Sequence, residues 1–447
     1  MSTNQKLDND SRQSLAAIIL RGATSSLMVA FIGIGCTFVA QVVLARTMTV
    51  TQYGNFMYVL SWLTLLTLVA NLGLETAVQR YLSVYQSTEE WPLFNGLLRF
   101  SNAVGFTVSL VIGASVILIT WLLRSRLGPS LSWTFWIGAS LLFLSTLCIL
   151  RQMTMRALRH VVLGQMPDQI IRPVALGLFA LCLYLFRGEK LESPMAIGLY
   201  YSATGVAFVV GSIWLHRIVA AKMPSTQPNY HISEWLHTAI YLALITALNQ
   251  VLYRTDILMI GAIIGTKQVA SYAVAVRLAN FVFIGVTASN AICGPMIAEH
   301  YAKGDLDRLR AIVRLGILSI LMISVPIAIG LVLFGKIALS VFGSAYTVGY
   351  TALVILVAGQ LTKALLGPTG PLLNLTGHQR SSAWFTGSAV VLNIILNSFM
   401  IPIWHIQGAA LASTISIMLL SSAMARRVSV YVKVNCTVAS LLQRKRS

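Results

Sequence analysis

Charge is scarce in this chain: only 10% of its 447 residues are Asp, Glu, Lys or Arg, against about 25% in an ordinary soluble domain. That shortage excludes a soluble enzyme, a disordered chain and a fibrous one, because 57% of the residues are hydrophobic and mean hydropathy is +0.78. Single soluble cores stop growing at roughly 250–300 residues, so most of this apolar surface must be solvated by lipid. Paired cysteines are missing as well. Four of the five Cys (Cys36, Cys148, Cys182, Cys293) fall inside apolar runs, where a thiol behaves as a small hydrophobe, and no disulfide framework is expected. There is no CxxC, no HExxH and no clustering of the seven His, so neither a metal site nor a cofactor is expected. No GxxxxGK[ST] loop is present and no connection is long enough to form an extramembrane domain, which excludes a nucleotide-driven motor. Residues 1–21 are polar and lack the core of a signal peptide, leaving the first apolar run as its own insertion signal.

What the chain does have is a run of long apolar segments. A span needs about 20 mostly apolar residues, and twelve stretches qualify: 25–44, 55–77, 100–123, 133–150, 173–186, 195–215, 237–264, 269–298, 315–334, 350–366, 384–402 and 406–425. These runs are continuous rather than alternating, so helices and not a closed barrel are expected. Acids are few: 13 Asp and Glu stand against 32 Lys and Arg, a formal net charge of +19. The basic residues lie between the apolar runs without interleaved aromatics, so they read as topology signals and anionic head-group contacts rather than a nucleic-acid surface. With the N-terminus inside, the cytoplasmic segments hold most of the Lys and Arg, which places both termini in the cytoplasm. Trp133, Trp136, Trp384 and Trp404 near span ends read as interfacial anchors.

The two halves resemble each other weakly. Thr51-Gln52-Tyr53-Gly54-Asn55-Phe56 aligns with Lys267-Gln268-Val269-Ala270-Ser271-Tyr272, and 198–217 aligns with 408–427. An even number of spans per unit makes this a parallel duplication, with the functional site at the interface of the halves. The expected fold is therefore an all-α membrane protein of about twelve transmembrane helices, arranged as two pseudo-symmetric six-helix bundles around a central cavity. The expected boundaries are 1–216 for the first bundle, 217–432 for the second and 433–447 for a basic cytoplasmic tail.

Ionisable residues inside a span cost about 2.5–3.5 kcal/mol each on insertion scales and usually face a cavity or a partner. Glu75 falls in the second expected span, Arg254 and Asp256 in the seventh, Arg277 in the eighth and Lys363 in the tenth. Asn71, Glu75 and Gln79 recur one turn apart and predict one polar stripe, or a local polar cap with Arg80. In the seventh span Asn249, Tyr253 and Asp256 share one face, and Gln250 and Arg254 share another. Asn280 stands one turn from Arg277, and Asn393 and Asn397 form a similar pair in the eleventh span. Asp256 and Arg277 are equidistant from the turn that joins their spans, which predicts either an ion pair between them or, alternatively, an Arg277 that faces water and binds an anion with Arg254. Arginine suits the second role, because its planar fork makes paired hydrogen bonds to phosphate oxygens. Lys363 near a span end reads as a snorkelling lysine, and Arg21 as a topology charge. The segment 151–172 reads as a basic cytoplasmic patch, able to meet an anionic head group. Gly294-Pro295 is expected to end the eighth span; Pro326 lies within the ninth, and Gly367-Pro368-Thr369-Gly370-Pro371 follows the tenth.

Several short motifs carry a family resemblance. Ala45-Arg46 and Tyr53-Gly54-x-Phe56 follow the first span, and Gly73-Leu74 and Arg80-Tyr81 end the second. Asp256-x3-Ile260-Gly261, Gly265 and Tyr272-x4-Arg277-Leu278-Ala279 open the second half, and Phe342-Gly343-x2-Tyr346 and Asn374-x2-Gly377 flank the tenth span. Over nearly its whole length the chain resembles a Wzx-type polysaccharide flippase, of the multidrug/oligosaccharidyl-lipid/polysaccharide exporter superfamily. The resemblance implies two bundles forming a V, with a cationic cavity that receives the pyrophosphate and sugars of a polyprenyl-linked oligosaccharide. Alternating access then moves the head group to the outer leaflet while the lipid tail stays in the membrane. It further implies a monomer in the bacterial cytoplasmic (inner) membrane that is not an enzyme and works beside polysaccharide assembly enzymes and membrane lipids. Among relatives, an arginine in the eighth span corresponds best to Arg277; arginines of the first two spans have only Arg21 and Arg46, at span ends, as counterparts. The expected substrate-binding residues are Arg277, Arg254, Asp256, Asn280, Lys363, Glu75, Arg21 and Arg46. A cation-coupled multidrug exporter is the alternative within transport, and a membrane polysaccharide polymerase or glycosyltransferase the alternative outside it.

Overall fold

The computed structural model describes the backbone of residues 2–222 and 226–432, and the side chains of 25–432 except those at 221–225, 241, 242, 244, 245 and 291. The Arg21 side chain and the expected tail at 433–447 lie outside the described residues. Helices make up nearly everything described, with one isolated bridge between Met48 and Leu191. Among the described residues, ten helices are long and apolar enough to cross a membrane. Ile232–Ile263 adds another, and Gln379–Tyr431 holds two, because its backbone breaks at His405 (φ 52°, ψ −129°) just after Pro402. Proline lacks the N–H that would continue the ladder and crowds the preceding turn, so twelve spans result. Their outward faces carry large apolar side chains, with Phe186 91%, Trp384 81% and Met322 77% exposed. In water such a surface would aggregate; here it is the surface that lipid wets.

Four expected spans, the second, fourth, fifth and eighth, have different bounds in the structure. The second span, Val50–Asn71, is capped by the Thr49 hydroxyl accepting from the Gln52 amide and ends at Leu72 and Gly73, both with positive φ (48° and 74°). A separate helix, Leu74–Ser87, starts there, so Asn71, Glu75 and Gln79 do not form one stripe. The fourth and fifth spans are longer than expected, at Pro129–Ala157 and Val161–Arg187. The segment 151–172 is thus mostly helix inside the bundle rather than a cytoplasmic loop, and Arg151 is buried. The eighth span runs as Thr266–Ala279, a 3-10 turn Asn280–Phe283, and Ile284–Ala302. It passes through Pro295 instead of stopping at Gly294-Pro295. The Val282 carbonyl at the 3-10 turn accepts a hydrogen bond from Ser324 Oγ at 2.7 Å, which keeps the irregular backbone satisfied within the membrane.

The two halves are joined most tightly at one end. There the second span lies against the eighth so closely that a Cβ on Gly54 would overlap the Thr266 backbone. Tyr53, Phe56, Tyr272, Phe342 and Tyr346 form a fully buried aromatic layer across this contact. The Arg46 guanidinium reaches from the first span to the end of the ninth, donating from Nε to the Val341 carbonyl at 2.7 Å. A positive group on the last carbonyls of a helix complements its negative end, so Arg46 clasps the two halves. Between the halves, away from this layer, lies the cavity.

Candidate functional site

The cavity has a volume of about 530 Å³ and is walled by both halves. Ala30, Gly33 and Ile34 of the first span, with Asp168 and Arg172 of the fifth, form one side; Arg254 of the seventh and Arg277 and Asn280 of the eighth form the other. The first span can approach the fifth here because Gly33 has no side chain: a Cβ would overlap the Gln169 backbone. The fifth span is itself distorted at this level. Residues Pro167–Ile171 form a π-helical turn between Pro167 and Pro173, two residues that supply no backbone N–H. That turn presents Asp168 and Arg172 to the cavity.

The electrostatics follow from which of these groups have partners. Arg151, 3% exposed, donates to Asp168 at 2.8 Å and to the carbonyls of Ala207 and Phe208 at 2.8 and 3.0 Å. Asp168 also faces Arg172 at 3.6 Å, and the Arg172 guanidinium lies over the Tyr200 ring at 5.5 Å. One carboxylate is therefore shared between two arginines. Arg254 and Arg277 are half-buried on the same wall of the cavity, and neither forms an ion pair with an acid among the described residues. Arg277 makes no hydrogen bond or ion pair with the described residues. Asn280 beside it accepts a long contact from Gln360 Nε2, at 3.4 Å. Three arginines against one shared carboxylate give a positive lining, suited to an anion with several oxygens.

Asp256 is not part of this lining, and the expected Asp256–Arg277 ion pair is absent among the described residues. Asp256 is 6% exposed and lies inside the second half, accepting from Tyr272 Oη at 2.6 Å, from Asn397 Nδ2 at 2.9 Å and from Ser413 Oγ. Asn393 continues the network by accepting from Asn397 at 3.0 Å. Tyr272 and Arg277, five residues apart, lie about 140° around the helix from each other. The face that meets Asp256 is therefore Tyr272's, and Arg277 turns to the cavity. The division of the seventh span is as expected: Gln250 and Arg254 face between the halves, whereas Asn249 and Tyr253 face the second half's interior. Removal of the Asp256 carboxylate leaves three buried donors without an acceptor. Asp256→Ala is expected to lower stability by about 3 kcal/mol, read as an earlier thermal unfolding of the purified protein, with Asp256→Asn losing less.

The remaining expected residues sit elsewhere. Lys363 does not snorkel freely: its ammonium donates to Tyr253 Oη at 2.8 Å and lies 4.2 Å from the Phe283 ring centroid, in a polar pocket within the second half. Arg46 belongs to the clasp rather than the cavity. Glu75 lines a second cavity, of about 250 Å³, which shares Asp168 and Arg172 with the first. Arg172 was expected only as the end of the basic cytoplasmic patch 151–172, and Asp168 was not singled out, although a signal existed for both. The expected fifth span, 173–186, reaches only about 21 Å at 1.5 Å per residue, short of the roughly 30 Å hydrocarbon core. The missing length had to come from the residues before Pro173, which carry both charges into the membrane.

Comparison with known proteins agrees with this architecture. The family described as polysaccharide biosynthesis protein matches residues 19–300, and the MatE family matches residues 242–399. A probable low-salt glycan biosynthesis flippase, Agl15 of Haloferax volcanii, is 22% identical over 422 residues, covering 92% of this chain and 85% of that protein. Among solved structures, a multidrug resistance MATE family transporter of the MOP superfamily in an inward-facing conformation superposes with a TM-score of 0.69 at 13% identity, over 92% of this chain and 99% of the other. A MOP superfamily transporter from Pyrococcus furiosus, described by the reverse polarity of its binding pocket, gives 0.65 at 13% identity, over 93% and 95% of the two chains. These structural likenesses establish the transporter fold. The sequence match, which spans more than half the chain, establishes the family: this is a multi-pass membrane protein of the polysaccharide biosynthesis protein family.

Proposed function

We propose that this protein moves a polyprenyl-pyrophosphate-linked oligosaccharide from the inner to the outer leaflet of a bacterial cytoplasmic membrane by alternating access, with both termini cytoplasmic. The observation that carries the proposal is the convergence of Arg172, Arg254 and Arg277 on one cavity between the halves. A diphosphate offers enough oxygens to engage several guanidinium forks at once. It also sets negative charge against the two like-charged groups, Arg254 and Arg277, on one wall. The head group must be shielded across about 30 Å of hydrocarbon while the isoprenoid remains in lipid. A cleft between two bundles meets that need, and the reaction requires no covalent chemistry from the protein. Movement between leaflets requires the Arg46 clasp and its aromatic layer to open as the other end closes.

A cation-coupled exporter of the same fold is the competing reading. A cavity for cationic drugs needs carboxylates, and three arginines against the shared Asp168 oppose it. The buried Asp256 network is the place where a coupling cation or proton would be read, since its carboxylate is, among the described residues, the one acid held inside the second half by neutral donors. The polysaccharide polymerase and glycosyltransferase readings need a sizeable acidic loop, and the connections among the described residues are short. Assembly enzymes that build and consume the lipid-linked unit are the expected partners. The test is mass spectrometry of lipid-linked oligosaccharides, with a leaflet-specific probe, in cells depleted of the protein. Complete units held on the inner leaflet support the flippase. Normal pools with new drug sensitivity support the exporter, and unpolymerised units stranded outside support the enzyme.

A further inference from the structure

The second cavity has a polarity opposite to the first. Asp168 and Arg172 belong to both linings, so the two compartments meet at that pair. On the first side stand Arg254 and Arg277; on the second the added charge is Glu75, and the other polar groups are neutral, among them Thr64, Gln152 and Gln250. The boundary is fixed in place, because Asp168 is held by Arg151, which is anchored on the Ala207 and Phe208 carbonyls of the sixth span. Glu75 is set by the backbone break at Leu72 and Gly73, which starts a new helix one residue before it. It is half-buried and makes no hydrogen bond or ion pair with the described residues. Arg156 stands within electrostatic reach of it, outside the lining, with a buried Nε that has no partner.

We propose that this second compartment is a sugar subsite that accepts an uncharged or amino-bearing ring next to the diphosphate, with Glu75 as the residue that sets the selectivity; the proposal rests on the diphosphate reading above. Amide and hydroxyl side chains both donate and accept, as the vicinal hydroxyls of a pyranose require. The Glu75 carboxylate accepts from a sugar hydroxyl or from an ammonium. A uronate in the same place sets its carboxylate against Glu75 and Asp168, and like charges brought together in a confined site repel strongly. The volume, about 250 Å³, is on the scale of one ring rather than a whole repeat unit. The first sugar is then read here, while the rest of the oligosaccharide extends away from the boundary.

The experiment is binding to the full-length protein in lipid nanodiscs. The probes are polyprenyl diphosphate without sugar and the same lipid carrying glucose, glucosamine or glucuronate. The unmodified protein is expected to bind the glucose and glucosamine forms at least about tenfold tighter than the glucuronate form. Glu75→Gln is expected to narrow that gap to within about threefold while the sugar-free diphosphate binds as before, which also shows that the variant is folded. Gln152→Glu, which adds a second carboxylate to the lining, widens the gap. Equal binding of the three sugars by the unmodified protein, or a gap that Glu75→Gln leaves unchanged, overturns the subsite while leaving the diphosphate reading intact. Failure of every diphosphate to bind overturns the diphosphate reading first, and the subsite with it.

Discussion

Arg277→Ala is expected to reduce export of the lipid-linked oligosaccharide by roughly a hundredfold, the equivalent of about 2–3 kcal/mol of charge-assisted hydrogen bonding to one guanidinium. The same variant is expected to reach the membrane at normal levels and to unfold at nearly the same temperature. Both expectations follow from one observation. Arg277 lines the cavity and makes no hydrogen bond or ion pair with the described residues, so its side chain contributes little to the fold and is available to a ligand. Arg277→Lys keeps the charge but replaces the planar fork with a point charge, and partial export is expected. The measurement is export in cells alongside thermal unfolding of the purified variants. Full export by Arg277→Ala contradicts the site, and a strongly destabilised variant contradicts the claim that Arg277 is held for a ligand.

Gly54→Val acts on the motion rather than on the substrate. Gly54 lies where the second span meets the eighth, and any Cβ there collides with the Thr266 backbone. Backbone cannot swing aside as a side chain can, so the halves must separate at this end, and overpacking of this kind costs about 1–3 kcal/mol. The closed layer of Tyr53, Phe56, Tyr272 and Tyr346 is the state that loses. Export is expected to fall about tenfold or more, with a marked change in accessibility. A cysteine placed at Ala45, 3% exposed in the closed layer, is expected to react with a membrane-impermeant thiol reagent far faster in Gly54→Val than in the parent. Equal labelling with normal export contradicts the assignment of this layer as a gate. Arg46→Ala removes only the clasp to the ninth span and is expected to shift accessibility in the same direction by less.

Much of this architecture was legible in the sequence because lipid imposes a simple rule: long apolar runs become helices. The number of spans and the two faces of the seventh span came from that rule and from helical periodicity. The pairing of Asn393 with Asn397 was also visible, although not its purpose, since Asp256 meets Asn397 only after three spans fold together. Partner choice was less legible. Equal depth does not fix which way a side chain points around its helix, so Asp256 took Tyr272 and left Arg277 to the cavity. Charges that end an apolar window were misplaced as well. Arg151 and Arg172 read as the edges of a loop, whereas pairing with Asp168 lets both enter the bundle. The break at Leu72 and Gly73 gave a glycine signal but no indication that the preceding leucine would adopt a positive φ.

The central claim is that a diphosphate held by arginines between the two halves is what this protein moves. Its most direct test uses purified protein in liposomes, with polyprenyl diphosphate bearing one neutral sugar in the outer leaflet and an impermeant enzyme outside that degrades whatever remains accessible. The account predicts that the protein protects a substantial fraction of the lipid within the time in which protein-free vesicles protect none, that Arg277→Ala abolishes the protection, and that a cationic dye is not moved. Transport of the dye with no protection of the diphosphate contradicts it.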